Sequence, residues 1–515
     1  MRRFAAGCAP ALAALALLLA GWPGASQAAK SDDTVVMALG SPQPTMDPRD
    51  HRARVGIIKD WHVYDPILRR DSRTGKVKPA LALSVKPVDE LTWEVKLRRG
   101  VKFHNGESFN AEAVKYTIDS MKDPANKFLN RGNATWVSEV VVKEPYTVHI
   151  LTKKPFPLVE ELLTAILPVP PEHAKKAGKP GMAARAIGTG PYKFVSWKKG
   201  VSLVLVRNDD YWGEKPAIKN LVIRPIKESA TQIAELLRGG VHVIRQVPPD
   251  QAEFINKSGT AVVKSAPVLR VVYLQIDQAG RDSRSHKALR DLRVRRAIAH
   301  AVNVDAIIKH ILQGRAMRSA TGISPLAFGY DDSAKPPKHD PALAKKLLAE
   351  AGYPNGFSVT LHTYSGSVMA ERQVAEAILA DLKQVGIETK IFHFDNVGVY
   401  TKMGTGGKRG DLTLASWGSR SIFDAHQILL PIFHSKDPLS YAKVPALDKE
   451  IDAGVSTVDA ERRKQIYARA QKIILDEMLA VPMYGQHEIV GVNKDLEFEP
   501  AGDEILRLYE AKWKR

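Results

Sequence analysis

One run of residues, Phe357 to Phe394, constrains the fold of this chain more than any other. "FSVTLHTYS" alternates Phe357, Val359 and Leu361 with polar neighbours, the period of a half-buried strand. Glu371 to Val385 then sets Val374, Ile378 and Leu382 on one helical face, Gly386 stops the helix, and "IETKIFHF" alternates again. Strand, helix, strand at this spacing predicts a right-handed crossover between parallel strands, because a twisted strand feeding a right-handed helix packs back on its sheet only that way. The next apolar run, Leu412 to Ala415, adds a strand, and "SWGSRS" leaves its carboxyl end. Sheets of this kind place ligands there, so Trp417 and Arg420 become candidate pocket residues.

The rest of the chain alternates strand and helix signals without repeats or low-complexity segments. "LTWEVKLRRGVKFHNGESF" predicts a hairpin or meander turning at Arg99-Gly100 and Asn105-Gly106. "NAEAVKYTIDSM" predicts a helix capped by Asn110, with Val114, Thr117, Ile118 and Met121 on one face. "GTGPYKFVSWKKGVSLVLVRN" reads as a Gly-Pro turn and two strands joined at Lys199-Gly200. Asp291 caps a helix striped by Val294, Ala297, Ile298, Ala301 and Val302. "DPALAKKLLAEAGYP" carries Asp340 at the N-cap, Pro341 at the first helical position, and Gly352 and Pro354 past the end. The class is α/β or α+β.

The first 29 residues have a separate purpose. Arg2 and Arg3 precede an Ala/Leu-rich run, Pro23 and Gly24 break it, and small residues close it, which is the pattern of a secretory signal peptide with cleavage after Ala28 or Ala29. Cys8 is the only cysteine; it precedes the apolar run, and Ala5 stands three places before it, so it does not fit a lipid anchor. The mature chain is then without thiol, disulfide or cysteine-held metal, and export points to a bacterial periplasm. No later stretch reaches the roughly 20 apolar residues of a membrane helix. At about 150 residues per domain the mature chain holds two to four domains.

The net charge of +19 does not indicate nucleic acid, because Lys and Arg are interspersed with Asp and Glu and no basic tail exists. Motifs of catalysis are missing as well. The sequence has no G-x-S-x-G elbow and no H-E-x-x-H, and "GTGGKRG" lacks the Ser or Thr that should follow Lys408 in a phosphate loop. His487 and Glu488 are adjacent, a spacing that does not put both on one helix face. The expectation is a binding protein, with no catalytic residue, metal or cofactor, and a secreted hydrolase is the minority alternative.

Six ordered motifs carry a resemblance that runs from about Thr34 to the C-terminus. They are "TMDPR", "VYDPILRRD", "PALALS" followed by "TWEVKLRRGVKFHNGESFNAEAV", "IGTGPYKFVSW", "LRVRRAIAHAVNVDAII" and "DPALAKKLLAEAGYP". In them the chain resembles the extracytoplasmic solute-binding proteins of ABC importers, family 5, which includes dipeptide-, oligopeptide- and nickel-binding members. The resemblance implies a two-lobed periplasmic binding protein of the large peptide-binding class, with an additional domain. After the signal peptide at 1–29, lobe I is expected from 30–59, 185–270 and 486–515, the additional domain from 60–184, and lobe III from 271–485. Crossing strands near Leu269 to Tyr273 and Val481 to Gln486 form the hinge. It further implies a monomer that holds a peptide or peptide-like solute between its lobes and hands it to a membrane permease driven by an ATPase. Opine-like anions or nickel chelates are the alternative solutes.

Peptide-binding relatives carry, three residues after the loop Trp, an Asp that pairs with the peptide's α-amine. Here Trp417 is kept as the stacking wall, Arg420 stands at the Asp position, and the nearest carboxylate is Asp424. Three readings stay open. Arg420 selects an acidic or amine-free ligand, or it points to solvent or pairs with Asp424, or a shifted loop lets Asp424 take the amine. Arg49, His51, Arg52 and Arg54 follow "TMDP" in the segment that lines the family cleft and hint at an anion, since guanidinium forks match carboxylate and phosphate. Met46, His51, Arg52 and Tyr64 complete the expected ligand wall.

Overall fold

The structure is a computed structural model that describes residues 32–514 except 367, 396 and 419–421. The signal peptide with Cys8 therefore lies outside the described residues, and so does Arg420. Among those described, no helix is long and apolar enough to cross a membrane.

Two long strands, Ala261–Ile276 and Ala480–Asn493, organise the molecule. They pair antiparallel from Ala261 opposite Asn493 to Gln275 opposite Ala480, with register shifts between Pro267 and Val271 and between Val272 and Tyr273. Proline has no N–H to give a ladder, so Pro267 and Pro482 mark where the pairing loosens. On one side of these shifts the pair meets Val243–Arg245, Thr34–Leu39, Asn220–Pro225, Ser202–Arg207 and Tyr192–Lys198. On the other it meets Leu412–Trp417, Phe357–Tyr364 and Ile387–Phe394. With Ala316–Arg318 pairing antiparallel to Ala480–Asn493, the sheet has eleven strands and is built around the two crossing strands.

The crossover forms as expected. Phe357–Tyr364 runs parallel to Ile387–Phe394, and Val374, Ile378 and Leu382 of the helix Glu371–Gln384 are buried against them. Leu412–Trp417 is parallel to Phe357–Tyr364 but antiparallel to Ala261–Ile276, so the sheet is mixed and Trp417 ends the strand rather than starting the loop. Helix caps also follow the sequence. Asn110 Oδ1 accepts from the amides of Glu112 and Ala113, Asp291 from Arg293, and Asp340 from Leu343.

A second, four-stranded antiparallel sheet of Ala82–Pro87, Thr92–Leu97, Thr147–Thr152 and Val137–Glu144 packs with the helix Ala111–Lys122 around Val95, Val114, Ile118 and Ile150. Two sequence expectations change here. The hairpin after Leu97 does not form: Gly100 and Gly106 turn with φ of 76° and 91°, but the chain between makes only a bridge of Lys102 to Ser108, because Phe103 and Phe109 turn into the core edge-to-face, 6.3 Å apart. The boundary at 59/60 also fails, since it cuts the helix Arg54–Val63, whose Val55, Ile58 and Val63 pack with lobe I residues such as Met37 and Leu221. The same core takes Ala174 and Met182 of the segment Pro171–Ala184.

Candidate functional site

Charged residues inside apolar strands build the centre of the molecule. Arg245 ends its strand beside Glu488 of the second long strand, its Nε donating to Oε1 at 3.1 Å, and the Gln246 amide donates to the same oxygen at 3.3 Å. Arg270, on the first long strand, donates from Nε to Glu504 Oε1 at 2.7 Å and from Nη2 to Oε2 at 3.1 Å. Its remaining nitrogen, Nη1, donates to Ser416 Oγ at 3.0 Å, one residue before Trp417. Arg54, which opens the helix Arg54–Val63, places Nη2 2.7 Å from Glu504 Oε2 and donates from Nη1 to the Asp503 carbonyl at 3.0 Å. Asp503 is itself paired with Arg507.

This cluster holds four guanidinium groups (Arg54, Arg245, Arg270, Arg507) against three carboxylates (Glu488, Asp503, Glu504), and it is almost dry. Glu504 is 2% exposed and Glu488 3%. Burial alone raises the Glu504 carboxyl, but the charges of Arg270 and Arg54 and the Arg270 hydrogen bonds overcome it and hold Glu504 down to about 2. Glu504 and Gln246 both adopt left-handed backbone, φ 61° and 56°, a conformation costly for residues with a Cβ.

The loop after Trp417 is gripped at both ends. A Cβ on Gly418 would lie 2.8 Å from Arg270 Nη2 and 3.4 Å from Glu504 Oε2, so only glycine lets the backbone lie against that pair. At the far end, Ile422 is buried in the core of the four-stranded sheet domain. The Phe423 amide donates to Glu161 Oε2 at 3.1 Å, its ring lies under the Arg70 guanidinium at 4.1 Å, and Glu161 pairs with Arg70. A third contact joins the lobes. The Met369 amide donates to Gln486 Oε1 at 3.2 Å, and the Met369 side chain packs with Ala38, Ile244 and Val247 of lobe I.

The ligand-wall residues expected from the sequence scatter. Trp417 is half-buried beside the loop, its indole Nε1 donating to the Gln427 carbonyl at 2.5 Å while the ring packs on the cluster of Leu269, Val271 and Tyr273. Arg420 lies outside the described residues. Asp424 is corrected: Tyr467 donates to it at 3.0 Å, the His426 amide at 2.9 Å, and Arg463 lies 3.3 Å away, so its carboxylate is spent inside lobe III. Burial pushes it up to about 6 in spite of Arg463.

Met46 and Tyr64 are corrected to core residues, fully buried with Val35 and Met37, and the Tyr64 hydroxyl donates to the Met46 carbonyl at 3.2 Å. His51 is corrected likewise. It is buried with Nε2 2.7 Å from Asp60 Oδ2, and its ring fills the space that a Cβ on Gly56 would need, 2.5 Å away. Arg49 folds back on Asp47. Of the cationic wall, Arg54 reaches the ionic cluster and Arg52 stays exposed, its Nε donating to the Leu129 carbonyl. Arg245, Arg270 and Glu504 were not singled out in the sequence, and Glu488 only as the neighbour of His487. For Arg245, Arg270 and Glu488 the signal was a lone charge inside "HVIRQV", "VLRVVYLQI" and "HEIVGV", since a charge buried in a strand demands a partner; Glu504, outside any strand, gave none.

A family model described as bacterial extracellular solute-binding proteins, family 5, middle, matches residues 76–439, which is most of the chain. The chain belongs to this family of solute-binding proteins. The glutathione-binding protein GsiB of Salmonella choleraesuis (strain SC-B67) is 30% identical to this family 5 protein over 474 residues, 90% of this chain and 91% of the relative. The ABC transporter-associated periplasmic binding protein DppA of Helicobacter pylori, solved in complex with the peptide STSA, superposes with a TM-score of 0.81 at 25% identity, covering 94% of this chain and 100% of that one. The fold is shared with the substrate-binding protein CtaP of Listeria monocytogenes, TM-score 0.84 at 22% identity over 94% and 99% of the chains. The two-lobed fold is thus that of a family 5 solute-binding protein, and the ionic cluster joins its two long strands to Glu504 and Ser416.

Proposed function

We propose that the mature protein is the periplasmic receptor of an ABC importer and captures a peptide or peptide-like solute with acidic character. Lobe I consists of the N-terminal strand and helix, the strands Tyr192–Lys198, Ser202–Arg207 and Asn220–Pro225, and the tail; the additional domain extends from about Ile67 to Ile166, which supply most of its core; lobe III lies between the two long strands. The protein acts as a monomer without chemistry of its own, and passes its solute to a permease and ATPase. The observation that carries this reading is the relay Arg54, Glu504, Arg270, Ser416, which ties lobe I through a long strand to the residue beside Trp417. A surplus of guanidinium at that junction favours carboxylate-bearing ligands, and the glutathione- and peptide-binding relatives point to the same class. Trp417 serves as the apolar wall. A solute that touches both lobes shifts the population toward the closed form, which is the form a permease reads.

Calorimetry of the mature protein with glutathione, a neutral dipeptide, its N-acetylated form and a dicarboxylate tests the reading. Glutathione should bind best, compact the particle in small-angle scattering, and stabilise it by about 2.7 kcal/mol at a hundredfold excess over Kd. Binding of the dicarboxylate alone would move the solute class to non-peptide anions. The absence of heat and compaction with all four would overturn the peptide reading.

A further inference from the structure

A cavity of about 60 Å³ opens where three parts of the chain meet. Arg52 and Trp61 reach it from the N-terminal segment, Arg70 and Asn133 from the additional domain, and Asp503 from the tail. The stacking of Arg70 on Phe423 sets the cavity beside the exit of the Trp417 loop. Asp503, whose carbonyl binds Arg54, makes it a neighbour of the ionic cluster. A cavity of this size takes a few heavy atoms, since one water needs about 10–15 Å³ on the same scale. A carboxylate and its methylene fit that space; a whole peptide does not.

The charges around it are not evenly answered. Asp503 is paired with Arg507, and Asp60, also on the wall, with Lys59 and His51. Arg70 is 3% exposed and bonded through its terminal nitrogens to Gly75 and Glu161, but its Nε has no hydrogen-bond partner among the described residues. Arg52 sits exposed at the rim, held only through Nε by the Leu129 carbonyl, and forms no ion pair among the described residues. Of these, Arg70 Nε is a buried donor without an acceptor, which is costly, while Arg52 is an exposed charge without an ion-pair partner; a carboxylate supplies acceptors in the geometry that guanidinium groups match best.

We propose that this cavity is a subsite for a second carboxylate of the solute, one that a simple dipeptide with its single C-terminal carboxylate lacks, received by Arg52 and Arg70 and walled by Asn133 and Trp61. The additional domain then takes a direct part in choosing the solute, and Phe423, under the Arg70 guanidinium, stands beside the bound group. The proposal rests on the peptide-like reading above and adds to it where one acidic end goes.

The test compares glutathione with Ala-Ala on the wild type, Arg52→Ala and Asn133→Leu, by calorimetry, with thermal melts to confirm folding. Arg52 is exposed, so its replacement leaves the core intact. The subsite predicts that Arg52→Ala weakens glutathione about tenfold or more, the scale of one charge-assisted contact, and leaves Ala-Ala within about twofold. Asn133→Leu, which fills the cavity, should show the same selective loss. Equal losses on both probes, or unchanged glutathione affinity in both folded variants, overturn the subsite while leaving the peptide reading in place. A folded wild type that binds neither probe overturns that reading, and the subsite with it.

Discussion

Replacing Glu504 with Gln should cost about 3 kcal/mol of stability at neutral pH. Glutamine copies the protonated carboxyl, so the variant suffers what protonation of Glu504 costs the wild type. The ordinary carboxyl value of 4.5 and the folded value of about 2 differ by an amount worth about 3 kcal/mol, at about 1.4 kcal/mol per pH unit. The side chain is 2% exposed, so solvent screening removes little of this. An independent figure agrees: removing one partner from a buried ion pair costs about 3–5 kcal/mol, because here Arg54 and Arg270 keep their charge in a dry place. The sign with pH follows. A carboxyl lowered by folding contributes fully above 4.5, and its contribution disappears as pH falls toward 2. Urea unfolding of both proteins at pH 7, 4 and 3 should therefore show a gap near its full size at pH 7, already reduced at pH 4 and smaller again at pH 3. A gap below about 1 kcal/mol at pH 7, or one that stays constant down to pH 3, would refute the argument that Glu504 is held ionised by its two arginines.

Phe423→Ala removes the ring under Arg70 and should loosen the loop from the additional domain; a cation–π contact shielded from water is worth about 1–2 kcal/mol. Small-angle scattering of the unliganded variant should show a more open average than wild type, and an identical curve would exclude Phe423 as a closing contact. His62, His104, His242 and His426 are each pushed down to about 4, by burial first. Since they fold neutral, stability should hold above about pH 6.5 and fall below it by about 1.4 kcal/mol per unit for each histidine until about pH 4, as urea midpoints will report; a flat profile from 6.5 to 5 speaks against it. Intact-mass analysis of the exported protein should find Ala29 or Lys30 at its N-terminus, and a retained, acylated Cys8 would contradict the signal-peptide reading.

Local rules decided much of this protein in advance. Caps at Asn110, Asp291 and Asp340 were readable because a cap answers amides two or three residues away, within the same stretch of chain. The crossover of Phe357 to Phe394 was readable because a strand and a helix impose different apolar periods on neighbouring residues. The ordered motifs led to the family for a related reason, as they record a whole fold residue by residue. Chemistry of the lobe junction was another matter. Glu504 meets Arg270 and Arg54 across 234 and 450 residues of sequence, and Asp424 meets Tyr467 across 43. A sequence shows that Arg270 is a charge in an apolar strand and therefore needs a partner, but any of many carboxylates satisfies that need. His51, Met46 and Tyr64 looked like cleft residues and are interior, because side chains of an irregular segment turn toward whatever the rest of the fold presents, here Asp60 and the lobe I core. Backbone propensities and apolar periods are short-range, so the sequence alone determined the elements and their caps. Pairings of buried charge are settled only when distant segments are brought together and deprived of water, so the tertiary structure alone decided which arginine meets which carboxylate.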